Sequence, residues 1–130
     1  MNHNAYTYRA GERRPVEVLV FSMDPAVVEE FIAVDHEIWT LKEAFMPGLT
    51  QIPFLSKEVW LDDSQPGQVT IVFVWDTQEQ WDVVGNTEFQ QELQREFDSR
   101  FPHPITLVAA PHEDSHFGIH RVTRFERKPQ

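Results

Sequence analysis

Apolar positions recur along the 130-residue chain in two rhythms, and the rhythm assigns the elements. Residues Val16 to Ser22 (VEVLVFS) carry Val16, Val18 and Val20 at one parity and Leu19 and Phe21 at the other. A strand with one wet face would alternate with polar residues, so this one reads as covered on both faces. Asp24-Pro25 then starts a helix, since Asp caps well and Pro at the first helical position gives up a donor that has no partner there. Val27, Val28, Phe31, Ile32, Val34, Ile38, Trp39, Leu41 and Phe45 follow at helical spacing, and Pro47-Gly48 stops the run near Met46.

A second strand is predicted around Lys57 to Leu61, a hairpin connection over Asp62 to Gly67, and a third strand over Gln68 to Trp75. The third is again apolar on both faces. Asp76-x-x-Glu79 has capping-box spacing before a short helix, Gly85-Asn86 interrupts it, and Thr87-x-x-Gln90 can cap a second segment. That segment carries Phe89, Leu93, Phe97 and Phe101 at successive i+4 positions and ends at Pro102 and Pro104. Ile105 to Ala110 reads as a fourth strand, Pro111 to Gly118 as a polar loop, and Ile119 to Phe125 as a weak fifth strand or an extended arm.

The order is β-α-β-β-α-β plus a tail, an α+β ferredoxin-like pattern. Its two helices cover only one face of a four-stranded sheet, whereas the first and third strands are apolar on both. The economical cover for the second face is another copy of the chain, with two sheets packed face to face in an α+β barrel. The expected organisation is a basic N-terminal arm over residues 1–15, a barrel domain over 16–110, and a loop with a C-terminal arm over 111–130.

Charge sharpens this picture. Eleven Lys and Arg against 21 Asp and Glu give a net charge of −10, which argues against nucleic acid or an anionic membrane surface as a partner. Residues 1–14 hold +2 and residues 119–130 hold +3, so the body between them is about −15. The two arms are either solvated tails or segments that lie on the acidic body of the same or a partner chain. There is no cysteine, hence no disulfide, thiolate metal site or cysteine nucleophile. No apolar run reaches the roughly 20 residues that span a bilayer, and the polar start lacks a signal-peptide core, so a cytoplasmic location is expected.

With Asp35, Ile38-Trp39-Thr40, the Lys57-Glu58-Val59-Trp60 strand, and the apolar strand ending at Trp75 with Trp81 beyond it, residues 16–101 resemble an uncharacterised, largely cyanobacterial family of the dimeric α+β barrel superfamily. That superfamily includes antibiotic-biosynthesis-type monooxygenases and stress-responsive barrel domains. The resemblance implies a homodimer, a pocket between helix and sheet, and cofactor-independent oxidation as the activity to test. Monooxygenase-like relatives often enter the second strand through Pro-Gly-Phe, where this chain has Pro53-Phe54-Leu55.

Candidate chemistry centres on the first helix. On a wheel of about 100° per residue with Val27 at the origin, Asp35 falls near 80° and Lys42 near 60°, inside the apolar arc, and His36 falls near 180°, at its border. Both Asp35 and Lys42 are therefore expected to point at the sheet, where a carboxylate is costly unless paired. Lys42 and Lys57 are candidate partners for Asp35; otherwise Asp35 lines a pocket as polar anchor or general base. Trp39, Trp60 and Trp75 are either plain core or the walls of a site for a flat ligand. Lys57 and Glu58 alternate across the second strand, so only one faces the helices, and Trp60 goes with Glu58.

His112-Glu113-x-x-His116 matches the zinc-protease pattern, but Pro111 before it and Gly118 after it deny it a long helix. It reads as coincidence, with His103 or His120 able to join only in adventitious metal binding. No metal site and no organic cofactor is expected. The chain also lacks a phosphate-binding glycine loop and a nucleophile elbow. Two functions remain: binding, or cofactor-free oxidation, of a small aromatic or apolar metabolite around Asp35, and a non-enzymatic dimerisation domain with Asp35 satisfied in a filled core. A cavity of about 300 Å³ or more touching Asp35 favours the first.

Overall fold

The structure is a computed structural model that describes residues 3–111 and 118–129. Five strands form one antiparallel sheet: β1 (Tyr6–Met23), β2 (Phe54–Leu61), β3 (Gln68–Trp75), β4 (Ile105–Ala109) and β5 (Ile119–Arg127). The spatial order is β2-β3-β1-β4, and β5 also pairs with β1. This is the ferredoxin-like arrangement that the element order predicts.

Two differences stand out. β1 begins ten residues before the apolar stretch at Val16, because β5 supplies hydrogen-bond partners from Tyr6 to Val16. Backbone pairing between two polar segments leaves no hydrophobic signature, so the alternation shows only the part of β1 that lies over the core. The resulting ribbon stacks Tyr6 on Phe125 at 4.6 Å, and its base is tied down by Arg14, which pairs with Asp76 at 2.7 Å. Second, the helix caps sit one residue from where the spacing suggests. Thr77 caps α3 (Gln78–Val84) and Asn86 caps α4 (Thr87–Arg100), each side chain accepting from backbone N–H groups of the first turn.

The first helix spans residues 25–44 but is not uniform. A 3₁₀ turn (Pro25–Val27) leads into α1 (Val28–Asp35), a π turn follows over His36–Thr40, and α2 (Leu41–Ala44) ends it. Asp24 accepts from the Ala26 N–H at the start, as its capping role requires. The first helix and α4 pack on one face of the sheet, and Arg100–Glu37, Lys42–Glu96 and His103–Glu30 pairs join the two sides at the surface.

Cross-strand register fixes which side chains share a face. Glu17 pairs with Phe73, Leu19 with Ile71 and Phe21 with Val69, and these face the helices. Lys57 lies opposite Phe73 on the same side. The core here is built from Phe31, Val34, Ile38, Val69, Ile71, Phe73, Trp75, Leu93, Phe97 and Phe101. Val18, Val20 and Val72 lie on the opposite face with Glu58 and Trp60. No helix among the described residues is long and apolar enough to cross a membrane.

Candidate functional site

Between the first helix, α4 and the sheet lies a cavity of about 420 Å³. The first helix contributes Phe31, Asp35, Trp39 and Glu43, and β1 contributes Glu17, Leu19 and Phe21. Ile71 and Phe73 of β3 form the floor, with Ile105 and Leu107 of β4 at one end. Gln90, Gln94 and Phe97 of α4 close the far side. The aromatic wall is ordered edge to face: Phe31 meets Phe97 at 5.8 Å and Phe101 at 5.6 Å between centroids.

Asp35 is 3% exposed and its Oδ2 accepts from Lys57 Nζ at 2.7 Å. The ammonium also donates to Thr40 Oγ1 and stands 4.9 Å from the centroid of the Phe73 ring. Both charged side chains are about 5% exposed. Burial pushes the Asp35 carboxyl above its ordinary range, and the Lys57 charge pulls it back. Asp35 thus has an ion-pair partner on one side and the cavity on the other.

Glu43 is the residue that helical periodicity misses. On the regular wheel it falls near 160°, just outside the apolar arc, yet it is 6% exposed and lines the cavity. The π turn is the cause. A turn closed by i→i+5 bonds holds more residues than an α turn, so every side chain beyond it lags behind the regular wheel. That lag carries Glu43 inward. Its Oε1 accepts from Gln90 Nε2 at 3.0 Å. Burial raises its pKa to about 7, against the pull of the Gln90 hydrogen bond and the Lys57 charge. Glu17 is the other overlooked carboxylate; its Oε1 accepts from Trp75 Nε1 at 3.1 Å. Its parity with Leu19 and Phe21 in an otherwise apolar strand was a legible signal.

The sequence-derived candidates separate as follows. Asp35 and Trp39 line the cavity, and Lys57 stands behind Asp35 without lining it. Trp75 is 2% exposed and lines an adjoining pocket of about 160 Å³ with Trp81, Glu17, Glu43 and Gln90. Its ring stacks on Trp81 at 5.7 Å and on Phe73 at 5.4 Å. Two expectations of orientation need correction. Lys42 does not point at the sheet: the same lag leaves it at the surface, paired with Glu96. Trp60 is 51% exposed and donates to Glu58 on the opposite face of the sheet, because strand parity puts it across from Lys57. His36 is exposed, as its place at the border of the arc suggests.

The described residues contain no group of three or more His, Asp or Glu that could hold a metal. The His112-Glu113-x-x-His116 pattern lies outside the described residues.

No protein-family profile matches the sequence, and no curated protein matches it significantly. Among solved structures, the chain is similar to a proposed antibiotic biosynthesis monooxygenase from Caulobacter crescentus CB15. That alignment has a TM-score of 0.51 at 12% identity and covers 93% of this chain and 94% of the other. It is also similar to a proposed antibiotic biosynthesis monooxygenase from Bacteroides thetaiotaomicron VPI-5482, with TM-score 0.48, 13% identity, and 92% and 91% covered. SnoaB, a cofactor-independent oxygenase from Streptomyces nogalater, aligns with TM-score 0.45, 10% identity, and 92% and 96% covered. The Caulobacter likeness shows the fold, a ferredoxin-like α+β architecture.

Proposed function

We propose that this protein is a cytoplasmic homodimer that binds a small aromatic or apolar metabolite in the cavity beside Asp35, as a member of the largely cyanobacterial family it resembles. The observation that carries this is the cavity itself. A filled core would have closed the space between the first helix and the sheet. Instead about 420 Å³ remains, within the range of small-molecule sites, with an apolar wall and a few convergent polar groups.

Asp35 is the polar anchor. Lys57, itself anchored on the Thr40 hydroxyl, holds it in place, so it presents a fixed acceptor to the bound molecule. Glu43 sits in the same cavity with a pKa of about 7, the range in which a carboxyl group exchanges a proton at neutral pH. Proton abstraction from a ring hydroxyl of a bound phenol would leave an electron-rich phenolate, and the four electrons it gives up would reduce dioxygen, one oxygen atom entering the ring to give a quinone and the other leaving as water. On this reading the protein is an oxygenase without a cofactor, by analogy with the monooxygenase-type fold.

Native mass spectrometry of freshly purified protein tests the binding. The expected result is a dimer of the 15.3 kDa chain carrying a small-molecule adduct that Asp35→Leu loses. Incubating the released molecule with protein and dioxygen, then looking for added oxygen, tests the oxidation. A protein that carries no adduct and takes up no aromatic compound from a fragment library is a dimerisation domain instead.

A further inference from the structure

The polar lining of the cavity is one-sided. Among the described residues it holds the carboxyl groups of Asp35, Glu43 and Glu17 and the amides of Gln90 and Gln94, and no Lys, Arg or His. The nearest described cation, Lys57, is already shared between Asp35 and Thr40 and does not reach the cavity surface. Glu43 is more than nine-tenths buried, and its described hydrogen bond comes from a neutral amide that also donates to the Val84 carbonyl. A buried carboxylate so placed is stabilised most by a cation that arrives with the ligand. The rings of Phe31, Phe73 and Phe97 line the same cavity and offer hydrophobic contact for the body of such a ligand. A carboxylate or phosphate ligand would meet carboxyl groups and no free described cation.

We infer that the cavity is specific for a small organic cation, a primary amine on an aromatic or apolar body, with its ammonium against Glu43. This rests on the reading of the cavity as a ligand site and names the class of ligand. An ammonium favours the ionised form of Glu43, and burial holds its proton to about pH 7, so binding near neutral pH expels that proton. The titratable or charged groups that face Glu43 are Asp35 from the first helix, Lys57 from β2 and Glu17 from β1; α4 offers the neutral Gln90 and Gln94. Affinity for an amine therefore rises with pH through 7, until the amine itself loses its proton.

Three probes that share one ring system and differ in the head group test this by titration calorimetry on the full chain: naphthalen-1-ylmethylamine, naphthalen-1-ylmethanol and naphthalene-1-carboxylate. The amine should bind at least tenfold more tightly than the alcohol, and the carboxylate should not bind. The amine's apparent enthalpy at pH 7 should vary with the ionisation enthalpy of the buffer, reporting the released proton. Glu43→Gln should weaken the amine tenfold or more and leave the alcohol unchanged. Tighter binding of the alcohol or carboxylate overturns the amine assignment and leaves the ligand site standing, as does unchanged amine affinity in Glu43→Gln. Binding of none of the three overturns both.

Discussion

Lys57 and Asp35 face each other with almost no exposure, and an ion pair so buried is stabilised only while both members are present. Asp35→Leu should leave an uncompensated ammonium in the core and cost about 3 kcal/mol or more. Lys57→Met should cost a similar amount by stranding the carboxylate, whereas the double variant should recover much of the loss. Chemical denaturation at fixed protein concentration measures all three, and single variants as stable as the parent would contradict the pairing. Glu43 has the opposite pH signature to a paired surface acid. Its pKa stands at about 7 when folded and 4.5 when not, so the folded state binds the proton more tightly. This group's contribution to stability is complete below pH 4.5 and is lost as pH rises through 7, a decline of about 3 kcal/mol. Glu43→Gln removes that slope. Urea midpoints between pH 5 and 8 that fall equally in both proteins would refute the assignment.

The hairpin between β2 and β3 depends on Gly67. Its φ is +88°, and a Cβ there would lie 2.1 Å from the Met23 carbonyl oxygen. That carbonyl belongs to β1, whose last N–H bonds back to the Gly67 carbonyl at 2.9 Å. The backbones approach too closely for any side chain. Gly11 shares the left-handed conformation, with φ +77°, but has open space around it. Gly67→Ala should therefore cost about 3 kcal/mol or more, and Gly11→Ala only about 1 kcal/mol, the penalty of the backbone conformation alone. Equal losses in thermal or urea unfolding would mean that the close approach to Met23 does not matter. The π turn acts at the same scale. It carries Glu43 onto the cavity and sends Lys42 to the surface, so the helix builds the site by breaking its own period.

For the whole molecule, packing turns on the outer face of the sheet. Val18, Val20 and Val72 lie there half-buried, beside the exposed ring of Trp60. A second copy laid on this face would have to bury about 1,200 Å² or more for a lasting dimer. Sedimentation at low micromolar concentration should show a species of twice 15.3 kDa, and Val72→Arg should return it to one chain. A monomer at tens of micromolar for the parent would rule the dimer out. The ribbon of β1 and β5 holds most of the basic residues, including Arg9, Arg13, Arg124 and Arg127, in a chain whose remainder is acidic. A dimer strengthened by this contrast would weaken as salt rises.

Periodicity and turn chemistry were enough to define the four central strands, the helices of the single helical layer and the α+β ferredoxin-like order, because each depends on neighbours close in sequence. They also singled out Asp35, since a carboxylate inside an apolar arc is conspicuous wherever it ends up. The ends of β1 and β5 were not legible: polar segments more than a hundred residues apart pair through backbone groups that every residue carries. Nor was the choice of Lys57 over Lys42 as partner, which turned on strand parity and on a π turn that shifts the helical phase. Glu43 and the cavity belong to the tertiary structure alone. Whether space stays open between helix and sheet depends on how side chains from five elements meet, and on how far burial lifts a carboxyl group away from water.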